Sequence, residues 1–343
     1  MRVMDGRFLK LSLLGAVGAA ILVMGTAVVL GRAGGAAAVT STGPRTGVVV
    51  VNTNLALAGG AAAGTGIVLS SSGLVLTNNH VIRGATTIRV TDVSDSRTFG
   101  ATVLGYSVSR DIALLKLKNP TGLHAASIGN SSTATVGQAV TAVGNAGGTG
   151  SLTTVTGRVT GLGQSITVSD DQGGSNRLVN LIQTNAPLQP GDSGGPMLAG
   201  GHVIGVDAAA GGFGNGEREG FAIPINTAMS IAGQIQAGQR SASVHIGPTA
   251  FLGVLLDRSS GFGGQDTPGA LVRDVVPGSA ADRAGLGQGD VITALGGRAV
   301  TSPTGLQKIV LQASPGKPVR LDWVDTYGYS NGATIRPAAG PPQ

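Results

Sequence analysis

Three residues, a histidine, an aspartate and a serine, occur in local settings that suit acyl-transfer chemistry. Ser193 lies in the hexapeptide Gly191–Pro196, GDSGGP, where the glycines allow a tight loop. Such a loop can aim backbone N–H groups at one point and stabilise an oxyanion while the serine attacks. Gly191, Asp192 and Ser193 form the candidate oxyanion hole, with the amides of Gly191 and Ser193 as donors. A simple turn between two strands is the alternative interpretation.

The candidate general base is His80, which follows the apolar segment Leu74–Thr77 where it gives way to two asparagines. A strand end holds a side chain rigidly enough for proton transfer, although a lone histidine is more often a surface or structural residue. The chain has four histidines, and the other three lack such a setting: His124, His202 and His245.

The candidate orienting acid is Asp111, which opens the apolar segment Ile112–Leu117. A carboxylate there can accept the second N–H of the histidine, fix its tautomer and stabilise the imidazolium. Asp92 and Asp95 are rivals, but both lie in a turn rich in Ser, Asp and Thr. A strand-capping or surface aspartate is the alternative interpretation of Asp111.

The elements that must position these residues are short strands. The chain has 343 residues, of which 59 are Gly and 3% are aromatic, a composition that favours strands and turns over long helices. Short apolar segments separated by Gly, Asn and Ser begin at Val48, and a helix is indicated only over Thr227–Ala237. We therefore predict one all-β domain over residues 47–238, built from two six-stranded barrels. The absence of cysteine excludes disulfides, a thiol nucleophile and thiolate metal ligands.

Five segments in this order resemble the HtrA (DegP-like) family of trypsin-fold serine proteases, namely residues 64–82, 111–117, 128–148, 183–196 and 220–226. The resemblance covers most of residues 48–330, and an actinobacterial-type membrane-anchored member is the nearest in pattern. It implies a chymotrypsin-like double β-barrel with His80, Asp111 and Ser193 as the catalytic triad. It also implies misfolded or damaged envelope proteins as substrates and a homotrimer. The sequence shows no metal-binding cluster, Walker loop or dinucleotide fingerprint, so no cofactor or metal is expected. A chaperone or binding protein on a protease fold, and a secreted digestive-type protease, are the alternatives.

The chain departs from that family pattern at Asp192, because HtrA proteases usually have Asn before the nucleophile. Digestive proteases of this fold have Asp there, paired with a new N-terminal amine, but no activation-type Ile-Val-Gly-Gly sequence occurs here. Asp192 therefore needs another partner or stays solvated.

The expected specificity pocket also rests on the resemblance. It is lined by Pro187 and by the strand that contains Ala208, Ala209 and Ala210. Because Pro187 is not acidic, we expect cleavage after small or medium aliphatic residues; the orientation of Asp207 is left open.

A second domain is expected over residues 249–326, after a polar linker at 239–248. Segments 276–286, 289–292 and 305–312 resemble a PDZ domain. The resemblance makes Phe251, Leu252, Gly253 and Val254 the loop that binds the C-terminal carboxylate of a peptide. Leu306 and Val310 lie four residues apart and could wall the peptide groove. The alternative interpretation of residues 251–254 is the ordinary start of a strand. The tail at 327–343, rich in Gly, Ala and Pro, is expected to be disordered.

The N-terminal segment carries most of the net positive charge. The formal net charge is +6, and residues 1–45 contain five basic residues and one acidic residue. Leu11–Leu30 is uncharged and about long enough to span a bilayer, with basic residues before it that favour a cytoplasmic N-terminus. We expect a cytoplasmic stub and transmembrane anchor over 1–31, a linker over 32–46, and extracytoplasmic protease and PDZ domains. A cleaved signal peptide is the alternative. With no basic stripe elsewhere, nucleic-acid binding is not expected.

Overall fold

The computed structural model describes residues 45–169, 175–213, 217–257 and 268–343. Within these ranges no helix is both long and apolar enough to cross a membrane. The predicted anchor, Leu11–Leu30, lies outside the described residues. The architecture is mainly β, as expected, with two six-stranded barrels followed by a smaller α+β domain.

The first barrel is antiparallel, with strand order β5-β4-β1-β2-β3-β6, and it closes because β5 also pairs with β6. Its strands are β1 (Val48–Leu55), β2 (Gly60–Ser70), β3 (Leu74–Thr77), β4 (Thr87–Asp92), β5 (Arg97–Ser107) and β6 (Ile112–Leu117). A one-turn helix, α1 (Asn79–Ile82), follows β3, and a 3₁₀ turn, Ala56–Ala58, joins β1 to β2.

The four valines that begin β1 show how the barrels share a core. Side chains alternate across a strand. Val49 and Val51 therefore pack inside the first barrel. Val48 and Val50 instead join the cluster that contains Val143 and Val206 of the second barrel. Because both faces are buried, the sequence is continuously apolar rather than alternating.

The second barrel closes in the order β10-β11-β12-β9-β8-β7. Its strands are β7 (Ala139–Gly144), β8 (Thr153–Ser169), β9 (Ser175–Thr184), β10 (Pro196–Ala199), β11 (His202–Phe213) and β12 (Glu217–Pro224). Two 3₁₀ turns, Ser131–Thr133 and Ala146–Gly148, flank β7. The helix expected at Thr227–Ala237 spans Ile225–Gln236 (α2), and its buried residues recur at helical spacing: Ile225, Ala228, Ile231, Ala232 and Ile235.

The C-terminal domain is a sheet in the order β15-β16-β17-β19-β20, with β18 beside β17 and a separate β14–β21 pair. Its elements, with β13 of the preceding segment, are β13 (His245–Ile246), β14 (Thr249–Phe251), β15 (Val254–Leu256), β16 (Ala270–Val275), α3 (Ala280–Ala284), β17 (Val291–Leu295), β18 (Arg298–Ala299), α4 (Pro303–Val310), β19 (Val319–Val324), β20 (Ser330–Ile335) and β21 (Ala338–Gly340). Ser279 and Ser302 cap α3 and α4 by accepting backbone N–H bonds.

The tail from residue 327 differs from the disordered segment expected from its composition. Ser330–Ile335 pairs with β19 along its whole length, and Ala338–Gly340 pairs with Thr249–Phe251. Ile335 is buried in the core of this domain. The Gly and Pro content suggested disorder, but a strand at a sheet edge needs only backbone pairing and one apolar anchor.

A polar contact joins the C-terminal domain to the first barrel at Tyr106. The Tyr106 hydroxyl is 2.8 Å from Thr249 Oγ1 and accepts a hydrogen bond of 3.2 Å from the N–H of Gln343. The side-chain amide of Asn79 donates to the carbonyl of Gln343 at 3.0 Å. In the segment expected as a linker, His245 pairs with Tyr106 at the edge of β5. The domains are therefore joined by hydrogen bonds as well as by the chain.

Replacing Tyr106 with Phe should weaken this junction. Tyr106 is 1% exposed and Thr249 is also buried, so removal of the Tyr106 hydroxyl leaves the Thr249 hydroxyl without this partner away from water. The N–H of Gln343 loses its acceptor as well. We expect about 1–3 kcal/mol lower stability in urea unfolding. Tyr327→Phe, at an 86% exposed tyrosine, is the matched control and should change stability by less than about 0.5 kcal/mol. Equal stabilities for the two variants would contradict the proposed contact.

Candidate active site

His80 and Asp111 meet because the strands that carry them are neighbours. β3 pairs antiparallel with β6, with Thr77 opposite Ala113, so the end of β3 lies beside the start of β6. His80 Nδ1 is 2.7 Å from Asp111 Oδ2, and the His80 backbone N–H donates to Asp111 Oδ1 at 2.9 Å. Both carboxylate oxygens are thus used to hold one residue in place.

The backbone around Asp111 is adapted to this contact. Its φ is +53°, a left-handed conformation that Asp and Asn adopt more readily than most residues. The Asn78 side-chain amide donates to the Asp111 carbonyl at 2.8 Å. The carboxyl is buried, with 7% of the side chain exposed, whereas the imidazole of His80 is 41% exposed. This arrangement leaves an open face of the ring beside a fixed carboxylate.

The pKa of His80 is raised above its ordinary value of 6.5. Partial burial of the ring lowers this pKa, but the charge of Asp111 and its hydrogen bond outweigh burial. The charge of Arg83 acts in the lowering direction. The imidazole is therefore a stronger base than a free histidine and can hold a proton during a reaction.

The loop that carries Ser193 is fixed against the first barrel. The backbone N–H of Thr65 donates to the Ser193 carbonyl at 2.9 Å. Gly194 has φ +86°, and a Cβ there would overlap the carbonyl oxygen of Thr65 and the hydroxyl of Thr77. Only glycine fits this position, and it brings Ser193 to the part of the barrel from which His80 projects.

The Ser193 hydroxyl donates its hydrogen bond to the carbonyl of Ala208 at 3.5 Å. Among the described residues, no hydrogen bond joins it to His80. Hydrogen bonds in unliganded catalytic sites are often long and shorten when substrate binds. The structure therefore brings the base and the acid into direct contact and places the serine on the adjacent loop.

Two of the three candidate oxyanion-hole amides are available. Neither Gly191 N–H nor Ser193 N–H has an acceptor among the described residues. The Gly191 carbonyl is turned away, accepting a 2.7 Å bond from Thr65 Oγ1. By contrast, the Asp192 N–H donates to the Gln189 carbonyl at 3.0 Å, which removes Asp192 from the set of donors. The sequence could not distinguish the available amides from the bonded one, because the difference lies only in the direction in which each backbone N–H points.

The Asp192 side chain is not solvated, although the sequence left that possibility open. It is 3% exposed, and its Oδ2 accepts a 2.9 Å bond from the N–H of Gln189. Burial raises the pKa of Asp192 to about 6, partly offset by that hydrogen bond. Asp207 is fully buried nearby, and burial together with the charge of Asp192 raises its pKa well above 3.8.

The expected specificity pocket is described only in part. Ala208 is buried, whereas the side chains of Ala209 and Ala210 lie outside the described residues. Next to the half-buried Pro187, Leu188 is 3% exposed and packs where a Cβ on Gly220 would be. The sequence analysis did not identify Leu188 as a pocket residue. Its position directly after Pro187, together with a glycine on β12, was the signal that could have indicated it.

The candidate carboxylate-binding loop of the second domain runs from β14 into β15. Gly253 has φ +87°, and a Cβ there would overlap the side chain of Ser279. The carbonyls of Leu252 and Gly253 accept bonds from Ala281 and Val276, at 2.9 and 2.8 Å. In a trans peptide the next N–H points the opposite way, so the Gly253 amide faces away from α3.

The groove residues on α4 are placed differently from the expectation. Leu306 and Val310 are 2% and 7% exposed and pack in the core of the domain. Residues four apart share a helix face, but that spacing is as typical of a core face as of a groove wall. In the described part of the sheet, β15 has β16 as its one neighbour, so its other edge is open to a pairing strand.

Comparisons with known proteins agree with this arrangement. Residues 64–206 match the family model of a trypsin-like peptidase domain, and residues 271–325 match that of a PDZ domain. The protein HhoA of Synechocystis sp. is 37% identical over 273 residues, which cover 76% of this chain and 67% of HhoA. The serine protease PepD of Mycobacterium tuberculosis is 33% identical over 78% of this chain and 59% of PepD.

The periplasmic pH-dependent serine endoprotease DegQ of Escherichia coli is 37% identical over 75% of this chain and 55% of DegQ. The chain therefore spans only part of the length of these relatives. Among solved structures, the HtrA-type protease AlgW with a tripeptide is 27% identical, with a TM-score of 0.48 over 87% of this chain and 95% of that chain. At that score the similarity carries no further conclusion.

The family follows from the relatives, and the geometry is consistent with it. Two closed barrels hold a histidine–aspartate pair beside a glycine-rich loop that carries the serine, and an α+β domain follows. HhoA is more than 30% identical, and two thirds of its length are covered. The chain belongs to the HtrA (DegP-like) family of trypsin-like serine proteases with one PDZ domain.

Proposed function

We propose that this protein is an exported serine endopeptidase that hydrolyses misfolded or damaged proteins of the cell envelope. The observation that carries the proposal is the 2.7 Å contact between His80 and Asp111 beside the loop of Ser193. The names of the relatives, which include a periplasmic serine endoprotease, support export and proteolysis. Anchoring by residues 11–30 and assembly as a homotrimer are parts of the proposal that rest on the sequence.

The geometry supports acyl-enzyme hydrolysis in two steps. His80 takes the proton from Ser193 as the hydroxyl attacks the peptide carbonyl, and returns it to the amine that leaves. Asp111 fixes the tautomer of His80 and stabilises the imidazolium. The N–H groups of Gly191 and Ser193 receive the oxyanion. Water then attacks the acyl-enzyme by the same proton transfers in reverse and frees the serine.

The alternative function is a chaperone or PDZ-type binding protein with little peptidase activity. The long bond from Ser193 to the Ala208 carbonyl, in place of a bond to His80, is the observation that favours it. A fluorophosphonate probe distinguishes the two, because it labels only an activated serine. Labelling that rises after addition of unfolded protein would indicate a protease that substrate activates, and no labelling under either condition would favour the binding protein.

The first prediction of the proposed function concerns the nucleophile. Ser193→Ala should abolish casein hydrolysis and fluorophosphonate labelling, with a loss of at least about 10³-fold. The circular dichroism spectrum and peptide binding should not change, because the hydroxyl makes only one long hydrogen bond. Ser132→Ala, at an exposed serine whose hydroxyl donates to Asn130, is the control. Full casein hydrolysis by purified Ser193→Ala would refute the assignment.

The second prediction concerns specificity. Leu188 packs against β12 at Gly220, which lies opposite Ala210, so the pocket beside these strands should be shallow. Cleavage should follow Ala, Val and Leu, and Leu188→Ala should extend the profile towards larger residues. Leu57→Ala, at an exposed leucine, should leave the profile unchanged. Mass spectrometry of casein fragments gives the profile. A profile dominated by cleavage after Lys or Arg would contradict the predicted shallow pocket.

The third prediction concerns the PDZ domain. We propose that an apolar peptide C-terminus pairs with the open edge of β15 and places its carboxylate on the amides of Phe251–Val254. The inactive Ser193→Ala protein should bind peptides ending in Val, Leu or Ala at least about tenfold more tightly than their amidated forms, about 1.4 kcal/mol. Gly253→Ala should remove this preference, because its Cβ overlaps Ser279. Calorimetry with matched peptides decides, and equal affinities would show that the carboxylate is not recognised.

A further inference from the structure

The mechanism above uses neither of two buried carboxyl groups at the loop of Ser193, one within the loop and one on β11. Asp192 is 3% exposed and Asp207 is fully buried. Three of their four side-chain oxygens have no hydrogen-bond partner among the described residues: Asp192 Oδ1, Asp207 Oδ1 and Asp207 Oδ2. Buried polar atoms are nearly always hydrogen-bonded, so this cluster needs an explanation.

The backbones of the two aspartates are tied to the same turn. Gly194 N–H donates to the Asp207 carbonyl at 2.7 Å, and Asp207 N–H donates to the Gly195 carbonyl at 2.8 Å. Gly195 N–H donates to the Asp192 carbonyl at 2.9 Å. Ser193 lies within this turn, so a displacement of either aspartate is transmitted to the nucleophile and to the oxyanion-hole amides.

We propose that Asp192 and Asp207 are positioning residues that share one proton and hold the oxyanion-hole loop in its active form. The carboxylic acid of Asp207 donates its O–H to Oδ1 of an ionised Asp192, whose Oδ2 accepts the Gln189 N–H. This satisfies two of the orphaned oxygens without a cation. The inference rests on the proposed peptidase function but concerns residues outside the triad.

The surroundings of the pair favour this protonation state. At the contacts that the structure describes, the pair faces neutral groups only: the backbone of Gly144 from β7, the Gln189 N–H, and Ala222 opposite Asp207 on β12. Burial raises the pKa of Asp192 to about 6. Burial, and then the charge of Asp192, raise the pKa of Asp207 well above its ordinary value. At neutral pH such a pair holds one proton.

The pair therefore gives the active form a limited pH range. Below about pH 6 a second proton binds, and a neutral Asp192 is a weaker acceptor for the Gln189 N–H. At alkaline pH the shared proton is lost, and two carboxylates repel each other beneath the loop. In both cases the Gly191 and Ser193 amides lose their alignment.

The same pair should make the free energy of unfolding of the protein decrease as pH rises. Both pKa values are raised in the folded state, so the folded protein binds more protons than the unfolded chain above pH 3.8. The contribution of the pair to stability is therefore fully present below about pH 3.8 and is lost as pH rises through the folded pKa values. Asp207→Asn, which cannot ionise, should raise the melting temperature at alkaline pH more than at acidic pH.

The test is the pH profile of kcat/KM for an unstructured peptide substrate, below the melting temperature. The kcat/KM of the wild type should fall at both acidic and alkaline pH. Its acid limb should have a log slope of about 2, because His80 and the pair must each lose one proton to reach the active form. Asp192→Asn should reduce that slope to about 1. Asp207→Asn keeps a hydrogen-bond donor to Asp192, because the Asn side-chain amide replaces the carboxylic acid. It should retain at least about a third of the wild-type activity at neutral pH, and its activity should not fall at alkaline pH. Asp207→Ala should lose at least about tenfold at neutral pH.

Identical pH limbs in the wild type and Asp207→Asn, or equal activity of Asp207→Ala and Asp207→Asn, would overturn the proposal. An infrared spectrum of Ser193→Ala separates this failure from failure of the peptidase function. It should show the carbonyl band of a protonated carboxyl group at neutral pH, and Asp207→Asn in the same background should remove it. Absence of the band refutes the shared proton, whereas the band in a wild-type protein without peptidase activity refutes only the peptidase function.

Discussion

The contact between the serine loop and the first barrel is the constraint on which the site depends. Thr65 donates its N–H to the Ser193 carbonyl, and Gly194 lies so close to Thr65 and Thr77 that no side chain fits there. The candidate catalytic residues come from different barrels, so the distance from Ser193 to His80 depends on this contact. The glycines of GDSGGP thus serve the packing of the two barrels as much as the conformation of the loop.

A second constraint acts within the first barrel. The antiparallel pairing of β3 and β6 places the end of one strand beside the start of the other, and the histidine and its acid occupy these two positions. Asp111 gives both oxygens to His80, one to the ring and one to the backbone. Even the left-handed backbone of Asp111 is tolerated because this network surrounds it.

The sequence indicated the parts of the structure that depend on local pattern. Short apolar segments and turn residues predicted the barrel strands and a helix at Thr227–Ala237, which the structure has at Ile225–Gln236. Asp111 and His80 could be paired because strand ends are positions where such residues are held. The strands at Ser330–Ile335 and Ala338–Gly340 were missed because their pairing partners, rather than their own composition, make them strands.

The orientation of groups within the site could not be derived from sequence. Asp192 and Asp207 are 15 positions apart in the chain, and they are buried together because backbone hydrogen bonds tie Asp207 on β11 to the turn that begins at Asp192. Leu306 and Val310 have a spacing that fits a groove or a core, and only packing decides between the two. The availability of each loop amide likewise depends on peptide orientation, which residue types do not encode.

The most direct measurement of the relation between Asp111 and His80 is a titration of the imidazole by ¹⁵N NMR in the intact protein. The chain has four histidines, so the His80 signal can be assigned by its loss in His80→Gln. Its pKa should lie above 6.5 in the wild type and fall in Asp111→Asn, because Asp111 supplies the charge and the hydrogen bond that raise it. A pKa that is at or below 6.5, or that Asp111→Asn leaves unchanged, would contradict the assignment of these two residues as base and orienting acid.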